Sequence, residues 1–531
     1  MKYALSYDIG TTGVKTCLFE IGDSIRLLAG ESEGYPLYVL PDGGVEQDPD
    51  EWWSAMCTTT KLVLASAGIA PEKIDGISFC SQGQGLVLVD KEGKPVRRAM
   101  SYMDQRARKE LKEGFGGGIQ VAGANAFKLL PALMITGAAP LSVKDPVWKY
   151  NWVRNNEPDV FARVYKWLDV KEALICRMTG EFVMTQDTAF GALLYDYKNK
   201  VWSEKMCKLC NVNIDHLPRI IKSADRVGGL TAQAAAELGL AEGTPVFGGG
   251  MDASLIGVGA GAASKGKTHI YMGTSGWVST SVEPKALVDT GSMIAAVVGA
   301  SEKTFNYWAE LETAAKCMEW VKDHLALDEV GIYMKKHDVT QADDMERKYT
   351  SLYTYLQDVM KTVPAGCGGV VFTPWFHGNR CPFEDPNARA MFFNMSLDTG
   401  KSELIRAVVE GVCFHMRWML EAQEKKVKSS NAIRFVGGGA LGETTCQILA
   451  DCLGKPVETV PSAQNVGAVG AAAVVAAGLG LVDDVNDTDK FIQVEKVYQP
   501  NPSVKPVYDK NFAVFKQLYS ANKKGFAMLT S

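Results

Sequence analysis

Asp8-Ile-Gly-Thr-Thr-Gly-Val-Lys15 follows a strand-like run, Tyr3 to Tyr7, and leads straight into a second apolar stretch, Val14 to Phe19. Strand, Gly/Thr turn, strand predicts a hairpin. Gly10 and Gly13 permit a tight turn whose successive amides form an anion-binding nest. Thr11 and Thr12 add hydroxyl donors, and Lys15 adds a positive charge. Asp8 suits Mg²⁺, directly or through water, because magnesium keeps several waters and takes only one or two carboxylates. A glycine turn standing alone is more often structural than functional. This one recurs.

Near the middle of the chain, His269-Ile-Tyr-Met-Gly-Thr-Ser-Gly-Trp-Val278 repeats apolar strand, Gly/Thr/Ser turn, apolar strand. Just before it, Pro245-Val-Phe-Gly-Gly-Gly-Met-Asp252 ends a strand in glycines and an acid. Two such hairpins, each opening about half the chain, predict two related α/β domains, residues 1–250 and 251–531. The glycine-rich stretch Gly250 to Gly259 is the expected hinge. A third cluster, Phe435-Val-Gly-Gly-Gly-Ala440, ends a strand before a helical segment, Glu443 to Asp451. Glycines there would let a flat ligand lie against the backbone, or serve close helix–strand packing.

Between these landmarks, strands alternate with capped helices, as in α/β proteins. Asp48, Pro49 and Glu51 predict a helix start with a capping box. Trp53, Met56, Thr60 and Leu64 then follow at helical spacing. Ile74 to Cys80 reads as a strand, Leu86 to Val89 as its hairpin partner, and Asp90-Lys-Glu-Gly93 as a turn. Gly261-Ala-Ala-Ser-Lys-Gly266-Lys267-Thr268 satisfies the P-loop pattern letter for letter. That pattern binds phosphate only between a strand and a helix. Here a small-residue helical stretch precedes it and a strand follows, so it reads as a solvated turn.

Composition narrows the function classes. The 531 residues carry 56 Lys+Arg against 61 Asp+Glu, a net charge of −5, with no basic run. Nucleic acid is therefore not the expected partner. Glycine, 52 residues, exceeds the usual ~7% and is clustered, as backbone-lined ligand sites require. The twelve cysteines are scattered. Cys207 and Cys210 have metal-ligand spacing but lack the four ligands of a zinc site. Asp8 interrupts the opening apolar run. The Ala/Gly-rich stretch Val466 to Val482 falls short of the ~20 apolar residues of a membrane span. It reads as an interior helix. The expectation is a cytoplasmic protein with no membrane partner, and a homodimer is left open.

Taken in order along nearly the whole chain, these pieces resemble the FGGY carbohydrate kinases of the actin-like ATPase-domain superfamily. The resemblance rests on Asp8–Lys15, Gln47-Asp-Pro-Asp-Glu-Trp52, Ser81-Gln-Gly-Gln-Gly85, Tyr102-Met-Asp-Gln-Arg106 and Lys149–Asn156. It continues through Gly248–Asp252, Gly273-Thr-Ser275, Pro374–Pro382 and Gly437–Ala440. It implies two actin-like (ribonuclease H-like) α/β domains around a central cleft. The first would hold the sugar, and ATP with Mg²⁺ would bind between both. It further implies that Asp252 is the base taking the proton from the sugar hydroxyl. Thr11, Thr12 and Lys15 would hold the transferred phosphoryl group, with Asp8 towards Mg²⁺. Gly273, Thr274 and Ser275 would meet the other phosphates, and Gly438, Gly439 and Ala440 the adenosine. Gln82, Gln84, Asp104 and Arg106 lie where the family binds its open-chain sugar.

The implied reaction is phosphorylation of a hydroxyl on a small ketose, a pentulose such as xylulose. L-xylulose, ribulose, erythritol and glycerol are the alternatives. A second class is an actin-like ATPase without sugar kinase activity, and a third is a sugar-binding regulator that has lost catalysis. Two departures bear on the substrate. Bacterial xylulokinases usually carry Gln-Met-His-Gly where this chain has Gln82-Gly-Gln-Gly85, and Asn or Gln where it has Ala253. The segment Ser81–Asp90 looks more like the L-xylulose kinase branch, and Gly83 beside Gln84 predicts a roomier sugar site. Near the nucleotide, Lys316 replaces a small residue of the family.

Overall fold

The computed structural model describes residues 1–121, 124–326 and 352–530. Its two large sheets are built to one plan. In the first, Lys2–Ile9 and Gly13–Ile21 form the expected antiparallel hairpin, and Ile25–Gly34 extends it on the far side. Gly76–Ser81 runs parallel to Lys2–Ile9, and Pro245–Phe247 and Gly250–Met251 run parallel to Gly76–Ser81. In the second, Thr268–Met272 and Gly276–Val282 form the hairpin, and Phe305–Leu311 extends it. Ile433–Val436 and Val457–Thr459 follow in parallel. This is the duplicated, two-domain actin-like α/β architecture.

Parallel neighbours require crossover connections, and helices supply them. Pro49–Ala67 starts where Asp48 accepts the Asp50 N–H at 3.0 Å. Trp53, Met56, Thr60 and Leu64 are buried along it. The capping box is not formed, because Glu51 instead accepts the Tyr38 hydroxyl at 2.7 Å.

The stretch expected as a hinge is regular structure. Asp252–Gly259 is a helix, buried from Ser254 onwards. It crosses Val466–Gly478, the interior helix predicted from the Ala/Gly-rich stretch, which is buried from Val466 to Ala476. A Cβ on Gly259 would strike the Val466 carbonyl, and one on Gly470 the Leu255 carbonyl. Glycine therefore serves here to bring two backbones together, not to flex. Among the described residues no helix is long and apolar enough to cross a membrane.

Two further local expectations are resolved. Val87–Val89 pairs with Lys166–Leu168, not with Gly76–Ser81. The chain leaves the first sheet after Gln82, whose N–H still bonds the Ile9 carbonyl, because the buried Asp169 carboxylate takes the Gly85 N–H at 2.9 Å. The P-loop-like segment joins the end of the Asp252–Gly259 helix to the strand Thr268–Met272, with Lys265, Gly266 and Lys267 exposed. No helix N-terminus follows it, so it lacks the phosphate cradle.

Candidate active site

Asp8, Cys80 and Gly250 stand abreast on three adjoining parallel strands. Residues just beyond them therefore leave the carboxyl edge of the sheet together, where open α/β sheets bind ligands. That edge brings Asp8, Gln82 and Asp252 to one place. Close packing dictates the glycines before Asp252. Gly249 has φ +69°, and a Cβ on it would run into the Phe79 carbonyl. A Cβ on Gly250 would lie 2.8 Å from Ser254 Oγ and 2.9 Å from Asp187 Oδ2.

Asp252 is the first residue of its helix, and its Oδ1 accepts the Ala253 N–H at 2.7 Å. Burial pushes its pKa up to about 7 against that hydrogen bond, and the negative charges of Asp8, Glu310 and Asp187 add to the rise. A carboxylate tuned near neutrality is suited to accept a proton at physiological pH. Asp8 is raised by burial, opposed by Lys15 and by a hydrogen bond with Cys80. Two neighbouring carboxylates, each disfavouring the charge of the other, are a donor set that a hard divalent cation would relieve. The first turn of the Val466–Gly478 helix closes on Asp8: a Cβ on Gly467 would stand 2.7 Å from Asp8 Oδ2 and 2.9 Å from Cys80 Sγ. A helix N-terminus there favours negative charge.

The first hairpin turn is braced from behind. The Gly10 carbonyl accepts the Tyr35 hydroxyl at 2.5 Å, and the Thr11 carbonyl accepts Gln47 Nε2 at 2.7 Å. Thr11 Oγ1 lies 3.3 Å from the Tyr102 hydroxyl, and Thr12 is exposed. Lys15 Nζ donates to the Gln464 carbonyl at 2.8 Å, across to the turn Ala463–Asn465. In that turn the Ala463 carbonyl accepts the Gly437 N–H at 2.8 Å. Gly437, at φ +92°, opens the third glycine run beside Met272, the last residue before the second hairpin turn. Nothing lies within 4 Å of a Cβ built on Gly438, whereas one on Gly439 would meet Met272 Sδ at 2.5 Å. The Thr274 carbonyl accepts the Ala314 N–H at 3.0 Å and the Lys316 N–H at 3.4 Å. Lys316 Nζ pairs with Glu319 at 2.9 Å and is half exposed. The three glycine turns thus converge, with Gly438 facing open space and the Gly273–Ser275 turn docked on residues 314–316. An open glycine backbone beside anion-nest turns fits a nucleotide.

The residues expected around the sugar divide into two groups. Gln82 and Gln84 lie at the carboxyl edge. Gln82 Nε2 donates to Gln47 Oε1 at 2.8 Å and to the Gly10 carbonyl at 3.2 Å, while its Oε1 is buried without a partner. Gln84 adopts φ +58°, and its Nε2 lies 3.5 Å from the Gly191 carbonyl. Asp104 and Arg106 face away from solvent. Asp104 is fully buried, accepts the Val45 N–H at 2.9 Å and pairs with Arg106 at 2.7 Å. Arg106 also pairs with Glu46 at 2.6 Å and lies 4.3 Å over the Trp152 ring. Nor is there added room beside Gly83, because the Met251 side chain occupies the space where a Cβ would go.

Three further groups in the site lie outside the expected site residues, although Lys149 opens one of the segments that carry the resemblance. Lys149, fully buried, donates to the Gln84 carbonyl at 2.6 Å and the Ser101 carbonyl at 3.0 Å. Burial lowers its pKa to about 8 despite Asp169, Asp104 and Asp145. Glu310 and Asp187 reach Asp252 from distant segments. Thr185 and Asp187 read as an ordinary helix start and Glu310 as part of a strand, so neither neighbourhood marks an active site.

Residues 3–259 match the N-terminal domain of the FGGY family of carbohydrate kinases, and residues 269–479 match its C-terminal domain. The chain belongs to the FGGY family. As a member it is a carbohydrate kinase, a phosphotransferase. The xylulose kinase of Bacillus subtilis strain 168 is 28% identical over 527 residues, covering 98% of both chains. The solved structure of the ligand-bound xylulose kinase from Lactobacillus acidophilus superposes with TM-score 0.83 at 24% identity, covering 100% of both chains. The gluconate kinase of the same organism gives 0.82 at 24% identity, covering 99% of both chains. This FGGY kinase therefore shares its fold with members named for different sugars.

Proposed function

We propose that this FGGY kinase transfers the γ-phosphoryl group of ATP to a hydroxyl of a small ketose, a pentulose such as xylulose. The observation that carries the reading is Asp252, held at a helix start on the carboxyl edge of the first sheet with its pKa near 7. The full-length likeness to the Bacillus subtilis xylulose kinase supports the choice of sugar. Asp252 takes the hydroxyl proton as the oxygen attacks phosphorus. Thr11, Thr12 and Lys15 orient the transferred group, and the backbone of Gly273, Thr274 and Ser275 meets the other phosphates. Gly438, Gly439 and Ala440 cradle the base and ribose. Asp8 is the residue that would hold Mg²⁺, which supplies charge neutralisation during transfer. Gln82 and Gln84 read sugar hydroxyls directly, while Asp104 and Arg106 act from behind by fixing the loop that carries Tyr102. Residues 1–250 form the sugar half and residues 251–531 the nucleotide half, in a cytoplasmic enzyme.

A coupled assay of ADP release across D- and L-pentuloses, hexuloses, gluconate, glycerol and erythritol tests this. The expected result is sugar-dependent turnover with highest kcat/KM on a pentulose. ATP hydrolysis indifferent to every sugar would sink the kinase reading in favour of an actin-like ATPase. Preference for another sugar or polyol would sink only the choice of pentulose.

A further inference from the structure

Asp187 has no part in the phosphotransfer assigned above, yet the Asp252 segment is built against it. It lies in the short helix Gln186–Gly191 and is fully buried. One carboxylate oxygen, Oδ2, accepts the Met251 N–H at 2.7 Å and the Ser254 hydroxyl. These groups flank Asp252 in sequence, one residue before it and two after. The other oxygen, Oδ1, accepts the Thr185 hydroxyl at 2.5 Å. That hydroxyl itself accepts Lys171 Nζ at 2.7 Å, and Asp187 Oδ1 is the nearer carboxylate acceptor for its proton, Glu172 Oε1 lying at 3.5 Å. Lys171 is buried, ion-paired with Glu172, and donates to Thr188 at 2.9 Å. The chain of bonds therefore runs from a buried ammonium to the start of the Asp252 helix. Gly250 is part of the same arrangement, because the Asp187 carboxylate occupies the place its side chain would take.

We infer that Asp187 is a positioning residue for phosphotransfer, its carboxylate gripping Met251 and Ser254 so that Asp252 stands in one place. The inference rests on the reading of Asp252 as the base. Asp187 touches no reacting atom. Besides the small rise that its charge adds to the Asp252 pKa, its effect passes through the backbone at 251 and the hydroxyl at 254, which bracket the base. Displacing a catalytic group by about 1 Å can cost on the order of a hundredfold in rate.

Steady-state kinetics of Asp187→Ala, Asp187→Asn, Asp252→Asn and the double variant Asp187→Ala/Asp252→Asn test this, with xylulose and ATP varied separately. Asp187→Ala is expected to lower kcat about 10- to 100-fold, with both KM values within about threefold of the parent. Asn keeps an oxygen for Met251 and Ser254, so Asp187→Asn should recover kcat to within about fivefold of the parent. On the Asp252→Asn background, Asp187→Ala should cost less than about twofold more, because the group it positions is gone. If Asp187→Ala does not fold, Ser254→Ala, which removes one of the same bonds, is read in its place. Unchanged kcat, an Asn variant as slow as the Ala variant, or a loss carried in full onto the Asp252→Asn background would each overturn the inference. Asp252→Asn alone keeping more than about half the parent turnover would bring down the base assignment and this inference with it.

Discussion

Lys15 and Gln464, 449 positions apart, are joined by a hydrogen bond of 2.8 Å from the lysine ammonium to the glutamine carbonyl. The bond ties the hairpin turn of the first sheet to the segment entering the helix Val466–Gly478. That helix, from the second half of the sequence, packs on the first sheet and closes on Asp8 at Gly467. The two halves of the molecule are therefore interleaved at the site.

This bond sets the contrast between two lysines. Lys15→Ala should lower kcat/KM for ATP by about 10- to 100-fold, the cost of losing a charged hydrogen-bond donor at a phosphate, about 1.5–3 kcal/mol. Lys267, in the P-loop-like turn, is exposed, and Lys267→Ala should leave ATP kinetics within about threefold of the parent, since no phosphate cradle surrounds it. Initial rates over a range of ATP concentrations compare them. The reverse ranking would mean that the phosphate site is misplaced.

Asp252→Asn should lower kcat by about 10²–10⁴-fold while changing sugar KM far less. In the parent, kcat/KM for the sugar should rise with pH through about 7, as Asp252 loses its proton. The same shift acts on stability. The folded pKa lies above the unfolded carboxylate value of about 3.9, so the protonated form is favoured by folding. That contribution is full below the unfolded value and lost as pH rises through about 7. Ligand-free Asp252→Asn should therefore melt higher than the parent at pH 8 and match it at low pH. Melting curves across pH that run parallel for the two proteins would contradict the shift.

Gln84→Ala should lower kcat/KM on the best sugar about 10- to 100-fold, from about 1–3 kcal/mol for an unmatched buried polar group. Slow sugar-independent ATP hydrolysis should be unchanged. The loop is held separately, by Lys149 on the Gln84 carbonyl and Asp169 on the Gly85 N–H. A side-chain truncation therefore leaves its anchors in place. Equal losses on every ketose with a lowered Tm would show that Gln84 only braces the loop.

Arg106→Met should act on stability first. It strips the counter-charge from Asp104, which is fully buried, while Glu46 keeps its pair with Arg97. Breaking a buried pair from one side costs about 3–5 kcal/mol. Urea denaturation should show that loss, and Asp104→Asn with Arg106→Met together should recover part of it. A variant as stable as the parent but with raised sugar KM would return Arg106 to the sugar.

Sequence alone determined the hairpins, the duplication and the order of the glycine turns. These are local facts: a Gly/Thr turn between apolar runs can do little but fold back, and its repetition at Gly273–Gly276 announces a second sheet. It determined as well that Gly261–Thr268 is no P-loop, since helix-before and strand-after are legible within a dozen residues. Tertiary structure alone decided what each polar group bonds. Asp104 and Arg106 resemble sugar ligands by position, but Glu46 and Val45, some sixty residues away, absorb them into a buried ion network. Gly83 suggests space that Met251, from another strand, fills. Gly250 and Gly259 look like a hinge, and are glycines because Asp187 and Val466 press against them. A side chain's period and turn propensity are written in its neighbours along the chain. Its hydrogen-bond partners, its burial and hence its pKa depend on groups brought together only by packing, which is why Asp187 left no trace in the sequence and stands beside the base in the fold.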